Sequence, residues 1–283
     1  MTEVIPGVLR LLADNPGPMT LSGTCTYLLG SGTVMIVDPG PAGQQQMDLL
    51  VKGVAGRPVG GILLTHSHRD HSGAAQTAAE TFSAPIMASE GTLGRLRLEG
   101  LALADEAPIT PGDLQGSLIA LHTAGHSADH VSFFFEPALA VFTGDLILGS
   151  GSSAVLYPDG SVTDYLNSLL RLAALEPRIL LPGHGPPVQD AAGRLREYSG
   201  HRLNREEQIL AAVRGGADTV AAVRGDVYGP LAPALETAAE LSICAHLHRL
   251  VEGPSVGRDE SERLRALRDE CERRWGLRPD AAD

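Results

Sequence analysis

His66, His68, Asp70 and His71 place three imidazoles and a carboxylate within six residues. Neutral imidazole and carboxylate are the ligands of zinc and related first-row metals, and three protein ligands leave a position open for water. A hydrophilic surface loop is the bland alternative, and it weakens when His126, Asp145 and His184 follow in matching sequence contexts. Seven ligands exceed what one tetrahedral catalytic metal needs. They suit two metals with three ligands each and one shared carboxylate. A water held between two such ions loses its proton near neutral pH and becomes a hydroxide nucleophile. The donor set suits zinc, and iron or manganese can use the same ligands.

Short apolar runs deliver these residues. Val34–Val37 precedes Asp38, residues 62–65 precede His66, and residues 118–123 lead to Gly125 and His126. Residues 140–143 lead to Gly144 and Asp145, and Ile179–Pro182 leads to Gly183 and His184. Length and β-branched content predict strands, each with a ligand-type residue just past its C-terminal end. Residues 131–135 read as a further strand, ended by Pro137. Helices are expected over 72–83 and from Thr163 or Asp164 to about 175, the latter with Leu166, Leu169, Leu170 and Ala173 on one face. Alternating strands and helices give an α/β class.

The strand pattern stops near residue 191. A helix over 192–214 would bury Leu195, Tyr198, Leu203, Ile209, Leu210 and Val213. Helices over 217–224 and 231–251 follow, and a last one over 259–275 carries the stripe Leu264, Leu267, Cys271 and Trp275. That stripe suits docking on the rest of the chain or on a second copy, a homodimer. Domains of 1–190 and 191–283 are expected.

The 283 residues carry 22 Lys+Arg against 34 Asp+Glu, a net charge of −12. Residues 1–190 hold 8 basic and 18 acidic residues, a net of −10, so long-range repulsion disfavours a polyanion there. The helix over 231–251 offers Arg249, His246 and His248 against Glu236 and Glu240, a poor DNA reader. Three cysteines (25, 244 and 271) suggest no disulfide framework and fit a reducing compartment. No signal peptide or membrane span is visible, so a cytoplasmic protein without membrane contact is expected.

Asp38, His66-x-His68-x-Asp70-His71, His126, Asp145 and His184 resemble, in order and spacing, the metallo-β-lactamase superfamily. The resemblance implies a four-layer αβ/βα sandwich with the metals at one edge. By position, His66, His68 and His126 would hold the first metal, and Asp70, His71 and His184 the second. Asp145 would bridge them, and Asp38 would support the site without being a ligand. Asp70 is also the catalytic candidate, placed to orient the water or accept its proton.

Further segments resemble the lactamase-β-like endoribonuclease family: residues 15–21, 23–28, 122–130, 165–169 and 181–186, and His201-Arg202 with Arg205-Glu206-x-Gln208. That family appends a small winged-helix-like domain, in agreement with the change near 191. Cys25 departs from the family's usual Asn and reads as a buried small residue. The tail after Gly257 reads as helix where a wing strand is expected. His122 and His130 are candidates to orient ligands or substrate. Tyr157, in the Gly/Ser-rich loop 149–160, is a candidate pocket-lining residue, whereas His201, His246 and His248 read as packing. The reading is a dinuclear-metal hydrolase of an acyl or thioester substrate, free or carrier-bound. Cleavage of single-stranded RNA is the alternative. A non-catalytic metal-binding regulator is a second alternative, disfavoured by the complete ligand set.

Overall fold

The computed structural model describes residues 1–109, 116–253 and 258–275. Packing divides the chain into two units. The first comprises Met1–Ala124, Asp129–Ser153 and Ser168–Leu195. The second comprises Gly125–Ala128, Ala154–Asn167 and the chain from Arg196 onward.

Two sheets build the first unit. One has seven strands in chain order: β1 (Thr2–Ile5), β2 (Val8–Leu12), β3 (Cys25–Leu29), β4 (Val34–Val37), β5 (Val59–Leu63), β6 (Ile86–Ala88) and β7 (Leu101–Ala102). The other runs β12-β11-β10-β9-β8, from β8 (Pro108–Ile109), β9 (Leu118–His122), β10 (Val131–Phe135), β11 (Ala140–Gly144) and β12 (Ile179–Pro182). Strand alternation distributes the side chains. Met35 and Val37 enter one core with Tyr27, Leu29 and Leu63, and there they meet Phe133, Phe142 and Leu181 of the second sheet. Val34 and Ile36 point the other way, against α1 (Gln44–Val54), α3 (Ala75–Phe82) and α4 (Glu90–Leu96). A sheet buried on both faces needs near-continuous apolar strands, as β4 and β5 are.

β4, β5 and β6 are parallel, as are β11 and β12. Their C-terminal ends therefore bring residue 38 next to residue 65, and residue 145 next to residue 183. Cys25 N–H donates to Gly183 O at 2.7 Å and Tyr27 Oη to Pro182 O at 2.8 Å, tying the edges of the two sheets. The helix expected over 72–83 is instead α2 (Arg69–Ser72) and α3. Ala74 N–H bonds Gly40 O at 2.9 Å, anchoring the break to the loop after β4.

Helix α5 (Val162–Ala174) buries Val162, Tyr165, Leu166, Leu169 and Leu172. Leu170 is 66% exposed and Ala173 is exposed, so the apolar stripe lies one position away from the expected one.

In the second unit, α6 (Ala191–Arg214) from Arg196 onward, α7 (Val220–Tyr228), α8 (Pro233–Glu252) and α9 (Arg258–Trp275) pack around Ile209, Val213, Val223, Ile243 and Leu247. Leu264, Leu267 and Cys271 of α9 are buried in that core, so the stripe docks within its own chain. Leu203, expected inside, is 46% exposed. No strand occurs in this unit among the described residues, and the expected wing is not formed there. Residues 254–257 and 276–283 of the expected C-terminal domain lie outside the described residues. Cys244 and Cys271 form a disulfide between α8 and α9, which corrects the expectation of none. The cysteine count thus no longer argues for a reducing compartment. Arginines here face carboxylates: Arg249 meets Glu206 at 2.8 Å and Arg274 meets Glu240 at 3.0 Å. No helix of the described residues is long and apolar enough to cross a membrane.

Candidate metal centre

Asp38 leaves β4 with a φ of +50°, a conformation Asp tolerates better than most residues. Its buried carboxylate accepts Thr65 N–H at 2.8 Å, Thr65 Oγ1–H at 2.7 Å and His71 Nδ1–H at 2.8 Å. With the Thr65 hydroxyl proton given to Asp38, His66 Nδ1–H donates to Thr65 Oγ1 at 2.9 Å. Both imidazoles are thereby fixed with Nδ1–H on its acceptor and Nε2 turned inward.

The inward atoms converge. His66 Nε2 lies 2.9 Å from His68 Nδ1, and these two with Asp145 offer ligand atoms within 4.8 Å of one another. His71 Nε2 lies 3.2 Å from His184 Nε2, and Asp70 Oδ2 is 3.5 and 3.1 Å from these two nitrogens. Asp145 Oδ1 stands 3.3 Å from His71 Nε2 and 3.4 Å from His184 Nε2. One carboxylate therefore borders both clusters. Lone pairs of imidazole and carboxylate aimed at common points fit divalent metal ions.

Two glycines make the approach possible. A Cβ on Gly183 would fall 2.5 Å from His71 Cε1 and 2.8 Å from Asp145 Oδ1. On Gly144, at φ +46°, it would fall 2.7 Å from both Thr65 Oγ1 and His130 Nε2.

His126 sits on the segment Gly125–Ala128, which leaves the first unit at Ala124 and re-enters at Asp129. Thr123 N–H to His130 O, 2.9 Å, closes the base of that loop. His126 Nδ1–H donates to Ala154 O at 2.8 Å, leaving Nε2 as the ligand atom. His130 is buried; its Nδ1 bonds Thr123 Oγ1 at 3.0 Å and its Nε2 accepts Asp145 N–H at 3.2 Å. It therefore holds the backbone of Asp145. His122 is not brought to the clusters: it is exposed, and its Nε2–H donates to Leu103 O at 2.9 Å. Tyr157 stacks on His248, centroids 4.2 Å apart, and packs in the second unit's core. Cys25 is a buried free thiol, and burial pushes its pKa up.

Sequence reasoning passed over Asp129. It is 5% exposed, accepts Ser67 N–H at 3.0 Å and Thr92 Oγ1–H at 2.9 Å, and pairs with Arg95 at 3.3 Å. Ser67 lies between His66 and His68, so Asp129 sets the backbone that carries both. An acid within the segment 126–130 was the available signal. Asp129→Ala is expected to weaken zinc binding about 10–100-fold, the usual cost of losing an outer partner. Competition against a chromophoric chelator measures this, and unchanged affinity would refute the role. Asn15 and Thr24 were also without a role: Asn15 Nδ2–H donates to Thr24 Oγ1 at 3.0 Å, and Thr24 Oγ1 approaches Asp70 Oδ2 at 3.5 Å.

Burial pulls the His184 imidazole down, but hydrogen bonds with Asp145 and Asp70 and the charge of Asp145 outweigh it, pushing its pKa up to about 9. Burial likewise opposes the charge on His71, yet Asp145 and Asp38 hold its pKa well above the ordinary value. Burial raises Asp70, while the bond from His184 and the charge of His71 bring its pKa below the ordinary carboxylate value. His184 thus stabilises the metal-free fold fully below its unfolded pKa of about 6.5, and that contribution fades as pH rises through about 9. A metal ion must expel these protons. Zinc titration calorimetry at about pH 7, in buffers of different ionisation enthalpy, should show about one or more protons released, with affinity falling at lower pH. No release and a flat pH response would contradict this arrangement.

Two sheets flanked by helices, with His/Asp clusters at one edge that suit metal, define a metal-dependent hydrolase. The family model of the Metallo-beta-lactamase superfamily matches residues 19–184, and the chain belongs to that superfamily. It is 30% identical to the lactamase-like protein aptB of Emericella nidulans, over 98% of this chain and 89% of that protein. It is also 30% identical to the atrochrysone carboxyl ACP thioesterase nsrC of Aspergillus novofumigatus, over 79% of this chain and 73% of that one. A metallo-beta-lactamase family protein from Thermus thermophilus superposes with a TM-score of 0.73 at 25% identity, covering 90% of this chain and 96% of the other.

Proposed function

We propose that this chain hydrolyses an acyl thioester, presented on a carrier protein or coenzyme, with two divalent metal ions. His66, His68 and His126 would hold one ion, Asp70, His71 and His184 the other, and Asp145 would lie between them. The observation that carries this reading is the placement of Asp145 Oδ1, 3.3–3.4 Å from two imidazole nitrogens of one cluster and grouped with His66 and His68 of the other. The thioesterase name of the relative from Aspergillus novofumigatus supports the substrate class.

When bound, the ions would supply Lewis acidity and a water deprotonated near neutral pH. The residues do the rest. Asp38 and Thr65 lock the imidazole tautomers, and His130 fixes Asp145. Asp70, side chain 29% exposed, faces the site with one carboxylate able to orient the water and accept its proton. The water oxygen bonds to the acyl carbon, the carbon–sulfur bond breaks, and a proton of the water ends on the departing sulfur.

RNA cleavage, implied by the resemblance to the endoribonuclease family, is the competing outcome. A panel of acyl thioesters, lactones and short single-stranded RNAs tests both. Thioester turnover should dominate and change little with ionic strength. RNA turnover exceeding it, and falling steeply with added salt, would overturn the proposal.

A further inference from the structure

The first unit contains a cavity of about 510 Å³ with Asp70 in its wall. That size is in the range of small-molecule sites. Its other walls divide by chemistry. Pro41, Leu96 and Leu98 are apolar, and Arg69 is the one cation among the lining residues. Arg69 is exposed, and among the described residues its guanidinium has no hydrogen bond or carboxylate partner. Of the unit's other arginines, Arg57 bonds three carbonyls, Arg95 meets Asp129 and Arg171 meets Asp105 and Glu106, while Arg97 and Arg178 do not line this cavity. Among the described residues Arg69 forms no ion pair, even with Asp70 on the same wall, so its guanidinium is available to an anionic group of a ligand.

We propose that this cavity, through Arg69 and its apolar wall, receives the phosphorylated pantetheine arm that carries the thioester. The inference rests on the thioesterase reading. A carrier or coenzyme thioester ends in a long, partly apolar thiol arm whose far end is a phosphate ester. A planar guanidinium binds one phosphate through two parallel N–H bonds, and Pro41, Leu96 and Leu98 cover the apolar stretch. A single cation suits a single phosphate. A polynucleotide needs several.

Titration calorimetry on the metal-free protein tests this without turnover. The probes are 4′-phosphopantetheine, pantetheine, inorganic phosphate and a short single-stranded oligoribonucleotide. Phosphopantetheine should bind about tenfold or more tightly than pantetheine or phosphate alone. Arg69→Ala should erase that difference, and Arg69→Lys should retain part of it. Circular dichroism verifies that both variants are folded. Equal binding of the two arms, a difference that survives Arg69→Ala, or phosphate binding as tightly as the whole arm would each overturn the proposal. So would tighter oligoribonucleotide binding that Arg69→Ala removes, which would assign the cavity to RNA. A thioester assay on the same protein separates the two claims: no hydrolysis with phosphopantetheine binding intact refutes the thioesterase reading and leaves the cavity assignment standing.

Discussion

Asp70→Ala is expected to lower thioester hydrolysis by about 10²–10⁴-fold, the range for a positioned acid or base, and to weaken metal binding at the cluster it shares with His71 and His184. Its carboxylate lies 3.1 Å from His184 Nε2 and is partly exposed, so its removal opens no core cavity. Circular dichroism should therefore match the parent. His68→Ala should have the same outcome, because His68 is half-buried and faces His66 Nε2 at 2.9 Å. Full activity in either variant would remove the cluster from the reaction. Loss of activity together with loss of fold in both would show that these side chains stabilise the fold and would leave the catalytic assignment unsupported.

Asp38→Ala is expected to act on the fold first. Three donors, Thr65 N–H, Thr65 Oγ1–H and His71 Nδ1–H, would lose their acceptor in a buried place. Removing one partner of a buried, charge-assisted set costs about 3–5 kcal/mol. Alanine at a φ of +50° adds about 1–2 kcal/mol. Urea unfolding should show a loss of that size in the unfolding free energy. Asp38→Asn, which keeps one acceptor oxygen and tolerates the backbone, should lie between the two. Freed from Asp38, the His71 ring would also lose its fixed tautomer and bind metal more weakly. A loss below about 1 kcal/mol in Asp38→Ala would contradict the network.

The candidate ligand residues were legible because six positions of sequence carry most of the chemistry, and because strand ends precede His66, Asp145 and His184. Asp38 was legible only as a supporting acid; its three bonds needed the parallel pairing of β4 with β5. Asp129 escaped because its partners, Ser67 and Thr92, are remote in sequence and join it only through folding. The strands β1, β2, β3, β6, β7 and β8 were missed: several have two to four residues, too few for a period-two pattern, and β3 is buried along its whole length and shows no alternation. α1 escaped too, since Gln44, Gln45 and Gln46 open it without an apolar repeat. The shift of the α5 stripe from Leu170 to Leu172 follows from Tyr165, whose buried ring sets the face. Cys271 was placed correctly on an apolar stripe, but spacing alone could not reveal Cys244 on the opposing helix as its partner. Among the described residues, several second-unit arginines face carboxylates, as Arg249 faces Glu206 and Arg274 faces Glu240.

Two metal ions at the Asp145-centred clusters are proposed to drive thioester hydrolysis. The most direct measurement titrates zinc into metal-free protein and follows bound metal and thioester turnover in the same samples. Turnover should be absent without metal and should reach a plateau at two ions per chain. Equal turnover before and after metal addition would contradict the proposal.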